Sequence, residues 1–257
     1  MTDFPFQPHL LEMAEQWRQT LDWQPTPSQQ AQFQQLYDHI LAGNRSLNLT
    51  RITDPLEFWE KHLWDSLRGI QTLLNCPSAT PDSTRQSHPY RVIDIGTGAG
   101  FPGIPVAIAR PDWQVVLLDS TRKKLEFIRQ MLAEMGINNA SPLVGRAEQV
   151  GQSGQHRSTY DLALIRAVAA AAVCAEYALP LLKPGGLAIL YRGQWTEAET
   201  QALQPVVQQL GGRIEQIEGF KTPLTQSDRH CLLLRKVAPT AASFPRAIGI
   251  PAQKPLA

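Results

Sequence analysis

The sequence predicts an α/β fold with a doubly wound, mostly parallel sheet of seven strands and one antiparallel edge strand. Short apolar segments that suit buried strands alternate with helical segments between residues 91 and 212, which is typical of βαβ units in a parallel sheet. A glycine-rich turn follows the first strand, where such sheets bind ligands. The last two strands have no helix between them, which indicates a hairpin and hence one antiparallel strand.

Helical periodicity predicts a layer of helices before the sheet. Apolar residues recur at helical spacing from Pro8 to Leu21, after Thr26-Pro27 and after Asp54-Pro55. Thr and Asp are suited to cap helices, and Pro is suited to open them. We expect the aromatic residues on these faces to pack against the main domain rather than to stack on bases.

Four segments follow from these patterns. They are an N-terminal helical layer (1–74), a linker loop (75–89), the main α/β domain (90–237) and a basic, Pro-rich tail (238–257). The tail is expected to be extended and loosely structured. The predicted strands, rich in β-branched and other apolar residues, are 91–95, 114–118, 140–144, 160–166, 187–191, 213–220 and 229–236.

Composition and charge exclude several classes of protein. The net charge of +1 gives no global basic signature, although residues 221–257 carry six Lys or Arg against one Asp. The three cysteines show no disulfide or zinc-ligand spacing. The first residues do not form a signal-peptide pattern. The most apolar run, Ala167 to Leu182, is too short to span a bilayer. We therefore expect a cytoplasmic protein without a metal or a membrane segment.

The turn after the first strand predicts a bound nucleoside-type cofactor. Gly96, Gly98 and Gly100 permit positive φ angles and leave no Cβ to obstruct a ligand. Asp94 ends the strand directly before them, and Pro102 suits the first turn of the following helix. A tight βα turn alone does not need three alternating glycines and a strand-end acid.

Two cofactors fit this turn. Residues 98–103 match the GxGxxG pattern of dinucleotide folds, with Asp119 about twenty residues further on. S-adenosylmethionine also needs an acid at the end of the second strand, so Asp119 does not discriminate. The charge of Asp94 would disfavour a pyrophosphate. The terminal hairpin and the turn Leu182-Lys-Pro-Gly-Gly186 favour the methyl donor.

Several motifs carry a family resemblance. They are Asp94-Ile-Gly-Thr-Gly-Ala-Gly-Phe-Pro-Gly-Ile-Pro105, Leu118-Asp-Ser120, Arg146-Ala-Glu148, Ile165-Arg-Ala167, Asn48-Leu-Thr50, His62-Leu-Trp-Asp-Ser-Leu67 and the tail from Phe244-Pro-Arg246 to Lys254-Pro-Leu256. The chain resembles the ribosomal RNA small-subunit methyltransferase G family, also called glucose-inhibited division protein B. Two positions depart from its pattern, Arg192 where Lys is frequent and Arg246-Ala247 where a basic pair is common.

The resemblance implies a class I, Rossmann-like methyltransferase that uses S-adenosyl-L-methionine. The implied substrate is N7 of one guanosine in 16S ribosomal RNA, so the partner is 16S rRNA or the small ribosomal subunit. The expected cofactor-binding residues are Gly96, Gly98, Phe101, Asp119, Ser120, Thr121, Ala147, Glu148 and Arg166. The expected RNA-binding residues are Arg192, Arg246 and Lys254.

Most of these residues have a plain structural alternative. Asp119 would accept hydrogen bonds from ribose hydroxyls but also suits a helix cap. Glu148 would read the adenine edge, or would be a solvated helix start. Phe101 would pack on the cofactor or be buried beneath the first helix. Arg166 would bind the donor carboxylate or an RNA phosphate, or pair with Asp94 or Asp161.

The chemistry expected from the sequence needs no catalytic acid or base. Ile165-Arg-Ala-Val168 is unlike the Asn/Asp-Pro-Pro-aromatic run of enzymes that methylate exocyclic amines. Cys174 lies inside a predicted helix and suits core packing better than nucleophilic attack. Guanine N7 has a free lone pair, so positioning and exclusion of water would suffice. The alternatives are an NAD(P)-dependent oxidoreductase and a non-catalytic RNA-binding module.

Overall fold

The computed structural model describes residues 9–76 and 89–257. Most of the predicted linker 75–89 therefore lies outside the described residues. The strands are β1 (Arg91–Ile95), β2 (Gln114–Asp119), β3 (Ala140–Val144), β4 (Tyr160–Arg166), β5 (Leu182–Arg192), β6 (Gly212–Lys221) and β7 (Asp228–Lys236). The helices are α1 (Ala14–Leu21), α2 (Pro27–Leu47), α3 (Pro55–Phe58), α4 (Asp65–Arg68), α5 (Gln71–Leu74), α6 (Gly103–Ala109), α7 (Arg122–Glu134), α8 (Ala147–Gln152), α9 (Ala171–Ala178), α10 (Glu197–Gln209) and α11 (Ile250–Gln253).

The predicted doubly wound sheet is confirmed. Seven strands pair in the order β3-β2-β1-β4-β5-β7-β6. The pairs from β3 to β5 are parallel, and β7 is antiparallel to both β5 and β6. The single antiparallel strand is thus inserted next to the outermost strand, β6. The chain leaves β1 toward β2 on one side and β4 lies on the other, so a ligand crevice is expected at the carboxyl ends of these strands.

The helices before the sheet form a layer that packs on one face of it. Trp17 lies at the centre of an aromatic cluster, with ring centroids 6.1 Å from Phe33 and 5.0 Å from Trp59. The first helix begins at Ala14, later than the predicted Pro8, because Met13 adopts a left-handed conformation with φ of 50°. These aromatic side chains are buried, so they pack inside the protein and are not available to stack on bases.

The third predicted helix is interrupted by a π-helical segment, Trp59–Trp64. Glu60 in this segment is buried, and its Oε1 accepts hydrogen bonds from the backbone N–H groups of Leu224 (2.6 Å) and Thr225 (2.9 Å). These two residues lie in the turn between β6 and β7. The π-helical segment thus attaches the helical layer to the far end of the sheet.

The tail is ordered against the sheet domain, so the expectation of a loosely structured segment was wrong. The guanidinium of Arg157 donates hydrogen bonds to the carbonyl oxygens of Thr240, Ala241 and Phe244 at 2.6 to 3.0 Å. The side chain of Pro245 fits against Gly151, where an added Cβ would lie 2.6 Å from its Cγ. The guanidinium of Arg157 thus satisfies the carbonyl oxygens of a segment that has no regular secondary structure.

Candidate active site

A cavity of about 420 Å³ opens at the carboxyl ends of β1, β2 and β4. It is called the glycine cleft below. Its wall includes six of the expected cofactor-binding residues, which are Gly96, Gly98, Asp119, Ser120, Ala147 and Glu148. Lys124, Tyr177 and Ala252 also line it and were not predicted. The position of Lys124, in the first turn of the helix that follows Asp119, could have indicated it, whereas nothing local marks Tyr177 or Ala252.

The glycine turn is held in place by Asp119. Its Oδ2 accepts the N–H of Gly98 at 3.0 Å, and its Oδ1 accepts the N–H of Thr121 at 2.7 Å. Asp119 therefore caps the entry to α7, and no capping bond comes from the side chain of Thr121. Gly98 has φ of 59°, and an added Cβ would meet nothing closer than 3.9 Å. The turn thus leaves open room for a ligand, and each carboxylate oxygen keeps a lone pair for one.

Asp94 lies beneath the turn rather than on the cleft surface. It is fully buried, and its Oδ2 accepts hydrogen bonds from Thr97 Oγ1 (2.6 Å) and from the N–H of Gly103 (2.8 Å). Burial raises its pKa to about 6, although these two hydrogen bonds act in the opposite direction. Its Oδ1 is buried without a hydrogen-bond partner in the described chain. Asp94 therefore fixes the glycine turn from its buried side, through Thr97 and Gly103.

Glu148 is a buried residue of the cleft wall, so the alternative of a solvated helix start was wrong. The side chain is 2% exposed. Its Oε1 accepts the N–H of Gly249 at 2.9 Å and the hydroxyl of Tyr177 at 3.2 Å, whereas Oε2 has no hydrogen-bond partner among the described residues. Burial acts to raise the pKa of Glu148, but its hydrogen bonds, led by the one from Gly249, leave the pKa lowered. The unused oxygen of this ionised carboxylate can accept a hydrogen bond from a ligand.

Phe101 does not line the glycine cleft. It is buried and stacks on the imidazole of His62, with 4.3 Å between ring centroids and 8° between planes. His62 is itself buried, and its Nε2 lies 2.8 Å from the hydroxyl of Thr50. Burial lowers the pKa of His62 to about 3, and the charges of Arg166 and Lys61 act in the same direction.

Arg166 faces away from the glycine cleft and is paired. Its Nη1 donates to Asp65 Oδ2 at 2.7 Å and to the carbonyl oxygen of Lys61 at 2.9 Å. A structural ion pair was one expected alternative, but the partner is neither Asp94 nor Asp161. Asp65 belongs to α4 of the helical layer, and nothing in the sequence near Arg166 indicates that contact.

A second cavity, called the basic pocket below, adjoins the glycine cleft. It has a volume of about 570 Å³ and is lined by Arg166, Arg192 and Arg229. Ala167, whose φ is 57°, lines both cavities. Arg192 Nη1 donates to the carbonyl oxygen of Ala169 at 2.7 Å. Arg166 is already paired with Asp65, whereas the guanidinium groups of Arg192 and Arg229 can bind phosphate or the acceptor edge of a base.

The other two residues expected to bind RNA lie in the tail, apart from the basic pocket. Arg246 forms an ion pair with the buried carboxylate of Glu176, with 2.6 Å between Nη2 and Oε2. Lys254 is exposed directly after α11. Cys174 is buried in α9, as its helical position predicted. Across residues 9–76 and 89–257, no group of three His, Cys, Asp or Glu side chains could hold a metal ion, and no helix is long and apolar enough to cross a membrane.

The sheet order, the glycine turn and the acid at the end of β2 define a class I methyltransferase fold. A solved structure agrees with this assignment at the level of the fold. The antibiotic-resistance methyltransferase Kmr matches with a TM-score of 0.52 and 18% identity, covering 60% of this chain and 90% of that one.

The family is shown by sequence. The model of the family rRNA small subunit methyltransferase G matches residues 29–232. Two relatives named ribosomal RNA small subunit methyltransferase G, from Trichormus variabilis and Nostoc punctiforme, are each 63% identical. In both cases the match covers 96% of this chain and 98% of the relative. The chain belongs to this family, so the resemblance is confirmed and the oxidoreductase alternative is set aside.

Proposed function

We propose that the protein transfers a methyl group from S-adenosylmethionine to N7 of a guanosine in 16S ribosomal RNA. The observation that carries this proposal is the pair of adjoining cavities, because the glycine cleft and the basic pocket share Ala167 as a common wall. One cavity offers acids and an open glycine turn, and the other offers cations. The names of the relatives specify ribosomal RNA of the small subunit as their substrate.

The residues of the glycine cleft fit an adenosyl donor. Asp119 retains acceptor capacity for ribose hydroxyls, and the unused oxygen of Glu148 would accept from the adenine amine. Gly98 leaves open space beside the turn. The cavity volume lies within the usual range for small-molecule sites. When bound, the donor would supply a methyl group on a sulfonium, and the new N7–C bond would form as the S–C bond breaks with its electron pair left on sulfur.

The chain would contribute position and charge rather than a proton acceptor. Arg192 and Arg229 would hold the RNA strand at the basic pocket, and Arg166 would keep the mouth of the pocket fixed through Asp65. Guanine N7 carries no proton, so alignment of the two reactants supplies the rate enhancement. This accounts for a cleft whose two acids, Asp119 and Glu148, are both engaged by main-chain N–H groups.

Two measurements test this proposal. Calorimetry should detect binding of S-adenosylhomocysteine and none of NADH. Small subunits from a strain that lacks this protein should accept a labelled methyl group from S-adenosylmethionine, and digestion should release the label as N7-methylguanosine. Label on another base would refute the N7 assignment. Donor binding without any transfer would favour the non-catalytic RNA-binding module.

A further inference from the structure

The C-terminal segment, residues 238–257, forms part of the wall of the glycine cleft. Ala252 lines the cleft, and the N–H of Gly249 reaches the carboxylate of Glu148. The segment lies more than 130 residues after the glycine turn in the sequence. It is attached to the domain by side chains rather than by strand pairing. A wall built this way has to be held in position by those side chains.

Besides the hydrogen bonds from Arg157 and Gln152, the segment is attached by the ion pair between Glu176 and Arg246. Glu176 in α9 is fully buried. Arg246 supplies its hydrogen bonds from the backbone N–H (2.8 Å), from Nε (2.9 Å) and from Nη2 (2.6 Å), and no other described residue contributes one. A carboxylate buried without a partner is strongly unfavourable. Release of the segment would therefore leave Glu176 with an uncompensated buried charge.

Glu148 connects this attachment to the ligand. One carboxylate oxygen is bound by Gly249 of the C-terminal segment, and the other is buried and unused. A carboxylate fixed on one oxygen presents the second in a defined orientation. If Gly249 withdrew, the shortest hydrogen bond to the carboxylate would be lost, and only the longer contacts with Tyr177 (3.2 Å) and Arg146 (3.4 Å) would orient the group.

We infer that Glu176 and Arg246 are positioning residues for the methyl donor. Their ion pair holds the C-terminal segment, the segment keeps Gly249 on Glu148, and Glu148 thereby presents its free oxygen to the donor. Donor binding and docking of the segment are then one linked equilibrium, and each strengthens the other by the same factor. The inference rests on the proposed function, because it requires an adenosyl donor in the glycine cleft.

The first test compares two arginine variants by titration with S-adenosylhomocysteine. Arg246→Leu should raise the dissociation constant about tenfold or more, within the usual range of coupling between sites. The matched control is Arg235→Leu, which removes an Arg–Glu pair with Glu215 at the opposite, amino edge of the sheet. Its dissociation constant should stay within about twofold of the wild-type value. Equal affinities of the two variants overturn the inference and leave the proposed function intact.

A kinetic measurement separates this role from a direct contact with RNA. Arg246→Leu should raise KM for S-adenosylmethionine and leave KM for the small subunit unchanged. The opposite result, an increase confined to KM for the small subunit, would make Arg246 an RNA contact and overturn the positioning role. Failure of the wild-type protein to bind the donor analogue would overturn both the inference and the proposed function.

A third test needs no variant, so it decides the matter even if Arg246→Leu does not fold. Trypsin can cut the wild-type chain between Arg246 and Ala247 only when the guanidinium leaves Glu176. Saturation with S-adenosylhomocysteine should slow this cut about tenfold, whereas the cut after exposed Arg51 should keep its rate. An unchanged rate at Arg246, or equal slowing at both bonds, overturns the inference.

Discussion

The glycine cleft is shaped mainly by backbone turns that follow two neighbouring strands, whereas the basic pocket is shaped by side chains that pair over long sequence separations. In the cleft, Asp119 binds the N–H groups of Gly98 and Thr121. In the pocket, Arg166 is fixed by Asp65, which lies 101 residues away. The comparison indicates that the side of the cleft formed by the glycine turn and Asp119 belongs to the sheet itself, while the pocket exists only where the helical layer meets the sheet.

The largest expected effect tests the dependence of the basic pocket on that ion pair. Arg166→Ala should lower the free energy of unfolding by about 3–5 kcal/mol, because it leaves the mostly buried carboxylate of Asp65 without its partner. Urea denaturation measures this loss. Arg235→Ala, which removes an exposed pair with Glu215, should cost less than about 1 kcal/mol. Similar losses for the two variants would contradict the proposed difference between pocket and surface.

The next effect concerns the glycine cleft alone. Asp119→Ala removes the acceptor that holds Gly98 and Thr121, and it removes the expected ribose contact. The dissociation constant for S-adenosylhomocysteine should rise about 10- to 100-fold, since hydrogen bonds to a charged group are worth about 1.5–3 kcal/mol. Asp38→Ala on α2 provides the control. An unaltered donor affinity of the Asp119 variant would remove this residue from the donor site.

A smaller effect follows from His62, the neutral histidine in the wall of the basic pocket. The pKa of His62 is about 3 in the folded protein and about 6.5 when unfolded, so the unfolded state binds more protons between these values. Stability therefore falls as the pH is lowered. The advantage of the wild-type protein over His62→Gln should shrink by about 1–2 kcal/mol from pH 7 to pH 5. Asp94 titrates in both proteins and cancels. A constant difference across this range would indicate that the pKa of His62 is not lowered in the folded protein.

The smallest expected effect tests whether the basic pocket binds RNA independently of the glycine cleft. Arg192→Ala should weaken binding of the small subunit and reduce the slope of log K against log salt by about one, as expected for one lost phosphate contact. Its affinity for S-adenosylhomocysteine should not change. Arg213, exposed at the amino edge of the sheet, supplies the control variant. If donor affinity fell as well, the two cavities would not be separable.

The features predicted from the sequence are those that depend on neighbours in the chain. Alternating strands and helices, the glycine turn and the acid ending β2 are all local patterns, and the sheet and the part of the cleft wall formed by the glycines and Asp119 followed from them. Glu148 was recognised through the family motif, and its burial excludes the interpretation as a solvated helix start. The tests above decide the roles of these residues.

The features that sequence reasoning did not provide depend on distant partners. The partner of Arg166 was expected within the sheet, but it comes from α4. The tail has the composition of a loose segment and is ordered by Arg157 and Glu176, whose own surroundings give no sign of it. Periodicity specifies which face of a helix is apolar and not which charged group will lie opposite a given strand end.

The attachment of Glu60 to the turn between β6 and β7 has a consequence for folding. The carboxylate is buried, and the N–H groups that satisfy it belong to residues more than 160 positions later in the chain. If the N-terminal third separated from the sheet, the carboxylate and both N–H groups would lose these hydrogen bonds together. The helices and the sheet should therefore melt together, in a single calorimetric transition whose enthalpy corresponds to the whole protein.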